Sequence, residues 1–129
     1  MGFLNKYKTD KTAEVNGVWI EVDDGVEWLI ARLNNERARE MRRKLEKPYR
    51  SFSNIPDKVS EEILRKVIAN TVMLDWKGMT DESGKVIPYS ADKAEELLKE
   101  FPDLLTDVAN ASMARETFQA EATEAAKNA

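Results

Sequence analysis

The sequence predicts an α+β fold, predominantly helical, in which an N-terminal β-hairpin packs with about four helices. Three observations lead there. Residues 15–33, "VNGVWIEVDDGVEWLIARL", alternate on both sides of Asp24-Gly25, a favoured two-residue hairpin turn because Gly accepts positive φ. Residues 60–75 carry a wide apolar stripe at helical spacing. Ser90 and Pro102 then open two more helical patterns in positions that suit a cap and a first turn. The 129 residues suffice for one domain with a modest core.

In the hairpin, Val18, Ile20 and Val22 share one face of the first strand, and Val26, Trp28 and Ile30 share one face of the second. Trp19 and Leu29 lie on the other faces, so those faces also have something to pack. Two strands alone are marginal in water. The hairpin must therefore lean on helices or on a partner's sheet edge.

In "NNERAREMRRKLEKPYR", Asn34 or Asn35 can cap a helix whose thin apolar stripe is Ala38, Met41 and Leu45, and Pro48 ends it. The turn-rich linker "YRSFSNIPDK" offers Tyr49, Phe52 and Ile55 as anchors. "SEEILRKVIANTVMLDW" reads as the central core helix. Ser60 is its N-cap, Glu61 and Glu62 suit the positive end of its dipole, and Ile63, Leu64, Val67, Ile68, Thr71, Val72 and Leu74 form its stripe.

A loop from Trp76 to Tyr89 follows, punctuated by Gly78 and Gly84. Long ordered loops in small domains are commonly functional. "TDESGKV" reads as an exposed tip, with Val86 and Ile87 returning to the core. The next helix, capped by Ser90, carries Ala94, Leu97, Leu98 and Phe101. The last starts at Pro102 with Leu104, Leu105, Val108 and Ala109, and its stripe fades after Ala111. Residues 1–111 are thus expected to form the compact domain. In residues 112–129 only Met113 and Phe118 are large and apolar, so this Ala-rich stretch is expected to fray, to project as a helix, or to dock on another molecule.

The composition narrows the chemistry. The chain has no Cys and no His. That removes disulfide frameworks, thiolate and imidazole metal sites, and Ser-His-Asp or Cys-His catalysis. A paired-carboxylate enzyme remains conceivable, but no spacing nominates a pair. There is no Gly-rich phosphate loop. Asp81, Glu82 and Ser83 fail as a calcium loop, because Lys85 stands where a third oxygen ligand belongs. No enzyme activity, cofactor or metal is expected. No apolar run has the length of a membrane span, and the first ten residues lack a signal region, so a cytoplasmic protein is expected.

The net charge of −4 hides an uneven distribution. Residues 32–50 hold eight Lys or Arg against three Glu, a balance of +5, and residues 92–129 hold nine acids against four bases, a balance of −5. The basic block fits a solvated helix face, a phosphate-binding surface using Arg37, Arg39, Arg42, Arg43 and Lys44, or one end of a head-to-tail contact between copies. Overall acidity and the interspersed Glu36, Glu40 and Glu46 weigh against nucleic acid.

Several stretches, in this order, resemble the tail assembly chaperones of phages with long non-contractile tails. They are "YKTD", "GVWIEVDDG", "EKPYR" after a basic helix, "TVMLDWKGMTDESGKVIPYS", "LLKEFPDLLTDV" and the closing "AEATEAAKN". The likeness runs from about Tyr7 to Asn128 and is strongest from Trp76 to Ser90 and at Phe101-Pro102-Asp103. It implies a non-enzymatic protein that binds the tape measure protein, keeps it soluble, helps recruit tail tube subunits, and is absent from the mature virion. It also implies the short form of a pair. The longer form would arise by a −1 ribosomal slip, for which codons of Ala126-Lys127-Asn128 can supply the run.

No binding residue transfers from the resemblance. On physical grounds the candidate partner contacts are Arg39, Arg42 and Arg43 on the basic helix, Trp76 and Tyr89 framing the loop, and Met113 and Phe118 in the tail. The competing reading of Trp76 and Tyr89 is core packing that pins the loop ends. The rival functions are a nucleic-acid-binding module on residues 32–50 and a phage structural protein such as a head–tail connector.

Overall fold

The computed structural model describes residues 2–119. After a 3-10 turn at Phe3–Tyr7, the chain forms α1 (Lys11–Asn16), β1 (Val18–Asp23), β2 (Val26–Ile30), α2 (Glu36–Glu46), α3 (Asp57–Thr71), β3 (Met73–Lys77), α4 (Ala91–Glu100) and α5 (Pro102–Met113). Short 3-10 turns at Lys47–Tyr49 and Arg115–Phe118 follow α2 and α5. The fold is α+β and predominantly helical, with α3, α4 and α5 packed on one three-stranded antiparallel sheet in the order β1-β2-β3 and α2 packed on α3.

The hairpin forms around Asp24-Gly25 but is shorter than residues 15–33. Asp10 caps α1 by accepting a 3.0 Å bond from the Ala13 amide, and this places Val15 in a helix. β2 is the central strand. Its second edge is filled from within the chain by β3, so no partner's edge is needed. Trp28 stands opposite Ile20 on one side and Trp76 on the other, and all three face the helices. On the outer face Trp19 and Leu29 pair with each other and stay half-buried, and the Lys77 ammonium lies 4.2 Å from the Trp19 ring centre.

The central helix is displaced from residues 60–75. It starts at Asp57, because Pro56 sets the entering backbone at φ −55° and Ser60 already lies inside the first turns, its amide bonding the Pro56 carbonyl. It ends at Thr71, and Met73–Lys77 is strand rather than helix end. The apolar run Val72-Met73-Leu74 satisfies either period, and the open edge of β2 decides between them.

Two apolar clusters result. The larger lies between the sheet and α3, α4 and α5, and includes Trp28, Ile30, Ile68, Val72, Met73, Trp76, Leu98 and Val108. The smaller joins α2 to α3 through Ala38, Met41, Leu45, Val59, Ile63 and Val67. Asn35, buried between them, accepts from the Ala38 amide and donates to the carbonyls of Arg32 and Thr71, tying the start of α2 to the end of α3.

Five apolar side chains placed inside by the sequence are exposed: Val22, Phe52, Leu64, Val86 and Phe101. The segment after Ala111 departs the other way. Ser112 is buried, and the turn at Arg115–Phe118 carries the Phe118 ring fully into the larger cluster. The Phe118 carbonyl accepts from the Asp10 amide at 2.7 Å, and Gln119 donates to the Lys6 carbonyl. The packed unit therefore continues past residue 111. The remainder of the Ala-rich stretch, with Ala126-Lys127-Asn128, lies outside the described residues.

Candidate functional site

The loop between Trp76 and Tyr89 is itself a small hairpin. Thr80 bridges Val86, and the Ile87 amide bonds the Met79 carbonyl at 2.8 Å. At its tip Asp81 accepts three bonds through Oδ1, from the Ser83 hydroxyl, the Ser83 amide and the Lys85 amide. The Ser83 hydroxyl chiefly, with the Lys85 amide, holds the Asp81 carboxyl below its ordinary pKa. A Cβ on Gly78 would strike the Gly25 carbonyl, so glycine lets this hairpin start against the β1–β2 turn.

Trp76 and Tyr89 pin the two ends. Their rings meet edge-on with centroids 4.9 Å apart. The Trp76 Nε1–H donates to the Ile87 carbonyl at 2.7 Å, and the Tyr89 hydroxyl donates to the Met73 carbonyl at 2.8 Å. Burial raises the Tyr89 phenol pKa, and the Asp75 carboxylate adds to it. Trp76 is 5% exposed, which is the geometry of a packing residue that shapes the loop.

The basic block forms a different surface. α2 starts where Asn34, at φ 65°, reverses the chain and Asn35 caps the helix. Arg39, Arg42 and Arg43 of this helix line an open groove of about 830 Å³, together with Tyr49, Arg50 and Phe52. Tyr49 and Phe52 meet edge-on at 5.9 Å, and Phe52 is 55% exposed. Arg39 donates to the Asn34 carbonyl. Among the described residues, Arg42, Arg43 and Arg50 have no carboxylate within ion-pair distance. Glu46 and Asp57 are the acids along this groove.

Met113 and Phe118 lie in a third place and part company there. Met113 is 53% exposed, whereas Phe118 is enclosed, with the Arg32 guanidinium 5.8 Å from its ring centre. The seven candidate contacts thus fall into three groups rather than one site.

Sequence reasoning missed a second groove, of about 790 Å³, between the loop hairpin and the α4–α5 corner. Met79, Ile87, Leu97, Phe101 and Leu104 supply its apolar lining, and Asp81, Glu82, Glu100 and Asp107 its acidic lining. Lys93 is the one basic lining residue, and its ammonium is bound to Glu96 at 3.3 Å. The available signal was Phe101 directly before Pro102, which holds a large ring at a helix corner where it is 41% exposed. Among the described residues, no group of three or more acidic side chains is placed to hold a metal, and no helix is long and apolar enough to cross a membrane.

Residues 31–128 match the family described as YdaY prophage protein, a span that covers more than half of the chain and holds both grooves. No curated protein and no solved structure matches the chain.

Proposed function

We propose, from the premise that the chain belongs to the YdaY prophage protein family, that it is a tail assembly chaperone. In this reading it binds the tape measure protein, keeps it soluble, and helps recruit tail tube subunits. The observation that carries the reading is the order and spacing of the tail-chaperone-like stretches along residues 7–128, above all Trp76 to Ser90. The family is one of phage proteins, which agrees with a phage role.

The surface chemistry is in keeping with binding rather than catalysis. With no His and no Cys, the chain has little catalytic equipment. It does present exposed apolar side chains, at Phe52 in a groove lined by four arginines and at Met113. Such mixed surfaces suit amphipathic helices. The protein acts in the host cytoplasm and leaves the tail before the virion is complete. A longer frameshifted form makes most of the tube contacts.

Co-expression with the large protein encoded just downstream tests this. The large protein should become soluble and co-purify with several copies of this chain. A large protein that stays insoluble, or this chain found in purified virions, rejects the chaperone role; the second outcome favours a connector. Arg42, Arg43 and Arg50, without a carboxylate in ion-pair distance among the described residues, support a second reading, nucleic-acid binding, which requires an affinity that falls steeply with salt.

A further inference from the structure

We propose that the two grooves are the two halves of one interface, the basic groove of one copy receiving the acidic α4–α5 corner of the next. This inference stands on the surfaces themselves and not on the chaperone reading.

The charges are complementary and unspent. The basic groove offers Arg42, Arg43 and Arg50 without a carboxylate partner among the described residues. The other groove offers Glu82, Glu100 and Asp107, likewise without a cation in ion-pair distance. Its one lysine, Lys93, is already engaged by Glu96.

Each groove also carries an exposed aromatic within its charged lining, Phe52 in one and Phe101 in the other. Apolar anchors inside a polar rim are the usual composition of an association surface. The desolvation of two rings would supply affinity, and the charges would set orientation and exclude like faces.

One chain cannot satisfy itself this way. α3 lies between, packing α2 on one flank and α4 on another. The pairing must therefore be between molecules. Because the two faces differ, the contact is heterologous, and a pair of copies keeps one free groove at each end. Such contacts grow into a filament or close into a ring.

The test uses the full chain and two variants in analytical ultracentrifugation. One variant, Arg42→Ala/Arg43→Ala/Phe52→Ser, removes the basic groove and keeps the acidic one. The other, Glu100→Ala/Phe101→Ser/Asp107→Ala, does the reverse. The wild-type protein should associate beyond a dimer at about 0.1 mM, and rising salt should weaken it. Each variant alone should lose affinity for itself by at least about tenfold. An equal mixture should form a complex of two copies and stop there, since only one intact interface can be assembled. Circular dichroism melts establish that both variants fold, and a single Glu100→Lys substitution offers a milder probe if either does not.

A wild-type protein that stays monomeric overturns the proposal. So does association that survives in either variant alone, which would mean that like faces pair or that other surfaces are used. Basic-groove binding to a DNA duplex in low salt, with no association between copies, assigns that groove to nucleic acid instead. Solubilisation of the tape measure protein can persist under any of these results, so the two readings fail separately.

Discussion

The Trp76 indole meets the Tyr89 ring edge-on, with centroids 4.9 Å apart and planes inclined at 80°. Between these two residues the chain makes its loop hairpin, and each donates a hydrogen bond to a backbone carbonyl near the other. Trp76→Ala should therefore destabilise the domain by about 3–5 kcal/mol, with a lower melting temperature by calorimetry. An unchanged melt with lost partner binding would show that Trp76 serves the partner and not the fold.

Tyr89→Phe keeps the ring pair and removes the hydroxyl bond to Met73. We expect a cost of about 1 kcal/mol at neutral pH in urea unfolding. The phenol pKa is raised in the folded state. Its contribution is therefore whole below the unfolded tyrosine value of about 10, and is lost as pH rises through the folded value. The gap between wild type and variant should narrow in that alkaline window.

Glu14 holds α1 to the chain beyond β2. It accepts from Thr9 at 2.9 Å and from Arg32 at 2.8 Å, and Lys11 lies 3.3 Å away. Burial alone would raise its carboxyl pKa, but the Thr9, Arg32 and Lys11 contacts together outweigh it and lower the value. The stabilisation is then fully present above the unfolded glutamate value of about 4.3, and is lost as pH falls through the lower folded value. Glu14→Gln should cost about 1–2 kcal/mol at pH 7, with the difference fading in acid, as read from unfolding curves along a pH series.

Asn35 makes three hydrogen bonds from a buried position. Asn35→Ala leaves the Thr71 carbonyl without this donor and should cost about 2–3 kcal/mol. Asn35→Asp keeps the cap acceptor but aims a charge at two carbonyls. It should be at least as harmful near neutral pH. A stable Asp variant in thermal melts would mean that only the cap matters.

Phe118→Ala tests the extent of the packed unit. A ring with no exposed surface, joined through its carbonyl to Asp10, should be worth about 3–5 kcal/mol. Met113→Ala, at an exposed position, should lie within about 0.5 kcal/mol of wild type. Equal and small effects in denaturant melts would return residues 112–119 to a dispensable tail.

Much of the fold was written locally. The Asp24-Gly25 turn, the Asn35 and Ser90 caps, Pro102 at a helix start and the α2 stripe each depend on neighbours a few residues away, and each formed where the pattern placed it. The basic groove was half legible, since Arg39, Arg42 and Arg43 recur at helical spacing, but the Tyr49 and Phe52 part of its lining depends on how the linker folds back. The acidic groove was not legible. Its lining comes from the loop hairpin and two helices, and no local period joins Met79 to Leu104.

The sequence by itself determined the α+β class, the helical majority, the absence of Cys and His chemistry and the segregation of charge. The tertiary structure alone decided that Met73–Lys77 is a strand and that Phe118 is core. In both cases the deciding partner is far away in sequence. An unpaired β2 edge made extended backbone the better use of a run that fits either period. A space between the sheet and the helices, closed by the Asp10 amide, gave one isolated aromatic a place to be buried.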